Sequence, residues 1–371
     1  MKHVLFAPEE NTYDIAILIK DSHFIGSSLS EYYVEPLEKL GIPRNKIIAF
    51  NLPYDKKKVS SNQIHAYFNS LIPALDKLGI KYIYCADAEY FKTLTKQRKA
   101  DNHLGYVLDC AAPKYKHMKV VLGLNYGGLL YNPNQAPKLD LSLTTLADSY
   151  NGCYQQLGAN IIHKAQYPVF IPQIQAFLNS LHQYPSLTCD IEAFSLNPFE
   201  AGIGSIAFAW NKHEGGSFLV DWIKNPDDSP LEGQQRNNKA IKSLLKHFFI
   251  NYKGNIKYHN MVYDAKVLIL ELFMSHPQDY EGMLYGLEVM TRDIDDTKVI
   301  AYLALNTTAE LSLGLKDLGH EYAGDYAESD IKNIRLIPQE SLLKYNLTDC
   351  LTTWFVFDKY YPVMLQDSQQ H

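Results

Sequence analysis

The segment Ser186-Leu187-Thr188-Cys189-Asp190-Ile191-Glu192-Ala193-Phe194-Ser195-Leu196 decides how this chain is read. Pro185 precedes it, and from Ser186 to Ala193 polar and apolar residues alternate with the period of a strand. Side chains two apart share a strand face, so Asp190 and Glu192 point one way. Cys189, Ile191 and Ala193 point the other way, into a core. Two carboxylates on one face repel each other unless a cation lies between them, and hard oxygen donors suit Mg2+ or Mn2+. An isolated D-x-E is most often plain solvated strand, so the pair gains meaning only if further carboxylates join it.

Length and composition set the frame. A chain of 371 residues has room for two domains with large cores. With 46% hydrophobic and 20% charged residues it has the balance of a globular protein. No apolar run approaches the roughly 20 residues of a membrane span, and the opening residues are too few for a secretory signal. No membrane partner is therefore expected, and the expected location is cytoplasmic (a host cytoplasm if the source is viral). Cysteines at 85, 110, 153, 189 and 350 are scattered, which fits inert thiols and argues against structural zinc. Charge is uneven: residues 1–150 hold 18 Lys and Arg against 15 Asp and Glu, and the rest hold 17 against 26. The net values, +3 and −9, put the acidic excess in the part that contains Asp190. Composition alone does not suggest nucleic acid, which would need metal ions and local basic patches to offset that charge.

The first 150 residues alternate strand and helix. Strands are expected at 13–20, 46–51, 80–86 and 117–123, with helices near 30–40 and at 62–78, so an open and mainly parallel α/β sheet is predicted. Basic runs at 55–58, 92–99 and 114–119 are expected to be solvated surface. The glycine-containing stretch 123–133 either lines a pocket or crosses the end of the sheet. A boundary near 150–165 divides residues 1–160 from 161–371. In the second part a helix at 171–182 leads into the opening strand. Strands at 203–210 and 216–222 continue it as an antiparallel meander. A polar loop at 225–233, a helix through Ile241, Leu244, Leu245 and Phe248, and a strand at 256–258 follow. Helices near 261–273, 296–305 and 340–360 complete a mixed sheet with helices packed on it.

The later helices supply the missing carboxylates. Asn260 is a natural N-cap residue, and Asp264 four positions on is placed on the same face of a helix start. Val262, Val267 and Leu268 are expected to reach the core. In the last helix Tyr345 and Asp349 stand one turn apart on one face, with Leu343, Leu347 and Cys350 placed for packing. Four carboxylates from three elements, with a phenol beside the last, form a set that chance does not readily supply.

This set resembles the 3′–5′ exonuclease domain of family A DNA polymerases, in the tyrosine subclass of the DEDD nucleases. The pattern D-x-E-x-x-S-L fits Asp190 to Leu196, N-x-x-Y-D fits Asn260 to Asp264, and Y-x-x-x-D fits Tyr345 to Asp349. Asp296-Thr297 and Leu315-Lys316-Asp317-Leu318 also match, so the resemblance covers about residues 186–362. It implies a ribonuclease H-like fold and phosphodiester hydrolysis with two Mg2+ or Mn2+ ions. In that scheme Asp190 bridges the two ions. Glu192 and Asp349 complete the site that activates water, Asp264 holds the second ion directly or through water, and Tyr345 orients the water. A phenol with a pKa near 10 is neutral and suits orientation better than proton abstraction. Leu196 matches the apolar wedge set against the terminal base, although ordinary core packing explains a leucine equally well. Asn260 and Tyr263 are candidate supports for the terminal nucleotide.

The polymerase domains of that family have no counterpart in this sequence. The expectation is therefore a proofreading subunit acting on single-stranded DNA 3′ ends, with its polymerase on a separate chain, as in some bacteriophages. A stand-alone exoribonuclease and a catalytically silent replisome scaffold are the alternatives. The N-terminal part is loosely similar to the uracil-DNA glycosylase fold. Asp21 could nominally serve such an activity, but 123–133 contains no histidine, so a structural or partner-binding role is expected there instead.

Overall fold

The computed structural model describes residues 2–7, 12–54, 59–221, 239–305, 312–326 and 334–366. The basic run at 55–58, the loop at 225–233 and Trp222 lie outside the described residues. Two compact units divide the chain, Met1–Ala159 and Asn160–His371.

In the first unit six strands form one sheet: β1 (His3–Leu5), β2 (Ile15–Lys20), β3 (Ile47–Leu52), β4 (Tyr82–Ala86), β5 (Val107–Asp109) and β6 (Lys119–Leu122), in the order β1-β3-β2-β4-β6-β5. The four inner strands are parallel, as expected of strands joined by helices. Both edges differ from the expectation, because β1 and β5 pair antiparallel. Each edge strand is three residues long, too short to show a period in the sequence. β2 is apolar from Ile15 to Ile19 because helices cover both faces of the sheet. Ala16 and Leu18 enter one core, and Ile15, Ile17 and Ile19 the other.

The helix expected near 30–40 is broken. Gly26–Leu29 runs into a π-helical turn, Ser30–Val34, before Glu35–Lys39. Pro36 lacks the N–H that Tyr32 would receive in an α-helix, and its ring crowds that carbonyl, so the turn widens. The stretch after β6 crosses the sheet end, where Tyr33 Oη donates to Leu124 O and accepts from Tyr126 N, each at 2.9 Å. In the two described basic runs, Lys92 pairs with Glu89 and Lys119 with Asp109, each at 2.7 Å.

The second unit also has one six-stranded sheet: β7 (Lys164–Gln166), β8 (Ser186–Glu192), β9 (Ser205–Asn211), β10 (Glu214–Leu219), β11 (Asn255–Tyr258) and β12 (Ile294–Asp296), in the order β12-β11-β8-β9-β10-β7. β8, β9 and β10 form the antiparallel meander, while β11 and β12 run parallel to β8 on its other side. This is the ribonuclease H-like arrangement of a mixed sheet. β7 and β12, three residues each, carry no readable period and were not expected.

One face of this sheet buries Leu187, Cys189, Ile191, Ile206 and Phe208 with the helices Ile171–Leu181, Lys239–Asn251 and Val262–Leu272. The other face meets the 26-residue helix Gln339–Met364. That contact is close because β9 offers only Ala207 and Ala209 to Leu347, Cys350 and Leu351. A Cβ on Gly215 of β10 would lie 2.6 Å from Leu347 Cδ1 and 2.5 Å from Phe208 O, so only glycine fits beneath the helix. No helix among the described residues is long and apolar enough to cross a membrane.

Candidate metal centre

Alternation along β8 sends Thr188, Asp190 and Glu192 to the face covered by the Gln339–Met364 helix, which runs antiparallel to the strand. Thr188 Oγ1 donates to Cys350 O at 3.0 Å, and one turn back Asn346 Nδ2 donates to Asp190 Oδ2 at 2.7 Å. Tyr345 and Asp349, each one residue before Asn346 and Cys350, come to the C-terminal end of the strand. Asp190, Glu192 and Asp349 each place an oxygen within 4.8 Å of the other two.

Asp264 stands beside this group of three rather than in it. The register of β11 with β8 ends at Lys257 opposite Thr188, and beyond that point Ile191 N donates to Asp264 Oδ1 at 3.3 Å. The Asp264 charge still reaches the cluster, since it is among the causes that raise Asp190 and Glu192.

Burial dominates the electrostatics. It drives the Asp190 carboxyl well above the usual range, with the Asp349, Asp264 and Glu192 charges adding to the rise. Burial also takes Glu192 up to about 8, where Asp349 pushes further and the Lys316 ammonium pulls back. Asp264 is raised by burial to about 7 against the Ile191 N–H bond, and Asp349 by burial to about 6 against bonds from Tyr326 and Tyr345. Tyr345 is raised by burial and by the neighbouring carboxylates, so its phenol keeps its proton. Groups held this far from ionisation become carboxylates when a cation compensates the charge. Three convergent carboxylate oxygens, with no sulfur or imidazole among them, fit a hard divalent ion such as Mg2+ or Mn2+.

The candidate substrate-contacting residues are placed differently from one another. Leu196 is 91% exposed, so core packing does not account for it. Its loop is pinned by Tyr263, whose Oη donates to Ser195 O at 2.5 Å. Asn260 is not the N-cap: it takes a left-handed φ of 63° outside the helix, whose cap residue is Met261. The Asp296 carboxylate of β12 holds the turn ahead of the helix, accepting from Asn260 N at 2.9 Å and Met261 N at 3.0 Å. Asn260 therefore does not share a helix face with Asp264, and its Oδ1 accepts from Lys298 Nζ at 3.2 Å. Val262 is 59% exposed rather than in the core, whereas Val267 and Leu268 are fully buried.

Three partners of the centre were missed from the sequence. Asn346 is fully buried and accepts from Ser205 Oγ at 3.0 Å while bonding Asp190. Its signal was an amide within the apolar run Leu342, Leu343 and Leu347. Tyr326 donates to Asp349, and Lys316 Nζ donates to Tyr345 Oη at 2.5 Å. Tyr326 lies at no spacing from the motif residues that sequence alone could connect, while Lys316 falls within the matched stretch 315–318, where only its leucines drew notice.

No family model matches the chain, and no curated protein does. Among solved structures it is similar to Brucella melitensis NrnC bound to pGG, at 15% identity and a TM-score of 0.37, over 57% of this chain and 85% of that one. Escherichia coli RNase D, an exoribonuclease, matches at 15% identity and a TM-score of 0.35, over 54% of this chain and 45% of that one. The Aedes aegypti Nibbler EXO domain matches at 14% identity and a TM-score of 0.37, over 57% and 91%. Likeness of this degree assigns neither activity nor substrate to the chain.

Proposed function

We propose that the chain is a metal-dependent 3′–5′ exonuclease that removes nucleotides from DNA 3′ ends. The observation that carries this is the convergence of Asp190, Glu192 and Asp349 within 4.8 Å at the C-terminal end of β8. A scaffold has no physical need for clustered carboxylates that burial keeps from ionising. Asp190, Glu192 and Asp349 would hold a divalent ion, and Asp264 is placed to help hold a second. Bound there, such ions supply charge neutralisation on the phosphoryl group and favour deprotonation of the attacking water. The neutral Tyr345 phenol directs a hydrogen bond into the site, and exposed Leu196 offers apolar surface to a terminal base.

The finer reading is a proofreading role with the polymerase on a separate chain. It is supported by the motif set from Asp190 to Leu196 and from Tyr345 to Asp349. Residues 1–160 serve in that reading as a structural or partner-binding domain, and 161–371 as the nuclease.

Purified protein with Mg2+ or Mn2+ is expected to shorten single-stranded DNA from its 3′ end, and Asp190→Ala to abolish the cleavage. Activity that is equal in the variant, or that survives EDTA, would overturn the assignment. Matched RNA and DNA oligonucleotides decide between exoribonuclease and deoxyribonuclease. Pull-down of the full chain from its native source is expected to bring a polymerase chain with it, and a monodisperse monomer without polymerase activity would count against the subunit role.

A further inference from the structure

Lys316 stands against the phenol of the centre from the short helix Leu315–Leu318. Its Nζ donates to Tyr345 Oη at 2.5 Å, with the ammonium 4.9 Å from the ring centroid. The segment that presents it is fixed at both ends. On one side His259, just after β11, meets Leu313 O through Nε2 at 3.0 Å and Thr297 Oγ1 through Nδ1 at 2.9 Å. Burial lowers this imidazole to about 4, so it is neutral at working pH. A carbonyl can only accept, which assigns the one ring proton to Nε2. On the other side a Cβ on Gly319 would meet Thr352 Cγ2, so the segment lies directly on the helix that carries Tyr345.

A tyrosine hydroxyl has one proton and two acceptor positions, while an ammonium donates only. When Lys316 occupies an acceptor position, the phenolic proton must point elsewhere. Asp349 lies one turn further along the same helix, and a bond from Tyr345 is among the causes that hold its carboxyl down. We propose that Lys316 is a positioning residue: its ammonium fixes the Tyr345 phenol so that the phenolic proton is aimed at Asp349, on the side from which an attacking water would be held. The Lys316 charge also lowers Glu192 and Asp349 directly, and the positioning effect is the part transmitted through the Tyr345 ring. This rests on the exonuclease reading of the site.

The test is a double-mutant cycle on the full chain with Mg2+ and a single-stranded DNA oligonucleotide, comparing wild type, Lys316→Met, Tyr345→Phe and the double variant. Lys316→Met is expected to lower kcat by at least about tenfold, with KM unchanged. The same substitution is expected to have little further effect in the Tyr345→Phe background. Lys316→Arg, which keeps the donor and the charge, is expected to recover part of the rate. Losses that multiply independently would overturn the proposal. So would a rise in KM with kcat intact, which would mark Lys316 as a phosphate contact. A second readout needs neither metal nor turnover: in protein labelled at tyrosine Cζ, the resonance missing from Tyr345→Phe should shift in Lys316→Met. An unmoved resonance would overturn the contact itself. If wild type shows no EDTA-sensitive cleavage that depends on Asp190, the exonuclease reading fails, and the resonance still decides the Lys316–Tyr345 contact.

Discussion

Leu196 shows what burial can decide for a single residue. Stabilising a core and presenting surface to a base both call for an apolar side chain, and 91% exposure leaves the second. Surface substitutions usually change stability by less than about 0.5 kcal/mol. Leu196→Ala is therefore expected to keep the wild-type urea midpoint while raising KM for oligonucleotide 3′ ends. A loss of about 2 kcal/mol or more would return Leu196 to a structural role. Asn260 illustrates the opposite outcome. Asparagine before a helix is a good local cap, but here a carboxylate from a neighbouring parallel strand holds the Asn260 and Met261 amides and the turn goes left-handed at Asn260. Asp296 brings a full charge to those amides, against the dipole of an amide side chain. That competition is set by a residue 36 positions away, and no window around Asn260 contains it.

At the scale of elements, the centre depends on how closely the Gln339–Met364 helix lies on the sheet. Thr188, Asp190 and Glu192 reach helix residues because Ala207, Ala209 and Gly215 put no more than methyl groups between the layers. A valine at 215 clashes with both the Phe208 carbonyl and Leu347. Such overpacking typically costs about 1–3 kcal/mol. Gly215→Val is expected to lower the denaturant midpoint by that amount and to reduce Mg2+-dependent cleavage, because Asp349 and Asp190 move apart together. Wild-type midpoint and activity in this variant would show that the helix does not need the glycine. The i,i+4 placement of Tyr345 and Asp349 was legible beforehand, since it follows from the helical repeat. The smallness of the opposing strands was visible as letters, yet its meaning required knowing which face the helix covers.

Across the whole molecule, the cluster makes stability depend on pH and on metal together. Glu192 at about 8, Asp264 at about 7 and Asp349 at about 6 all lie above their ordinary values of 4.5 and 3.8. A carboxyl raised on folding binds more protons folded than unfolded. Its contribution is therefore fully present at low pH and is lost as pH rises through the folded value. Asp21, Glu38 and Asp279 are lowered and act in the opposite sense, so the cluster must be isolated by difference. In EDTA, Asp190→Asn is expected to melt higher than wild type at pH 8, with the gap narrowing toward pH 5. Mg2+ is expected to raise the wild-type melting temperature more at pH 8 than at pH 5, since binding must displace protons. A gap independent of pH would mean that the carboxylates do not repel in the folded state.

Alternation at 186–193 placed Asp190 and Glu192 on one face, and helical repeat paired Tyr345 with Asp349. The succession of strands and helices gave two α/β sheets and the meander of the second. These properties depend on the local geometry of the backbone, which neighbouring residues carry with them. Tertiary packing alone decided which carboxylates converge. It joined Asp190, Glu192 and Asp349, left Asp264 on the Ile191 amide, and brought Asn346, Tyr326 and Lys316 to the same centre. Distances of a few ångströms between elements far apart in sequence are fixed by the size of the side chains between them, and by where one strand stops pairing with the next.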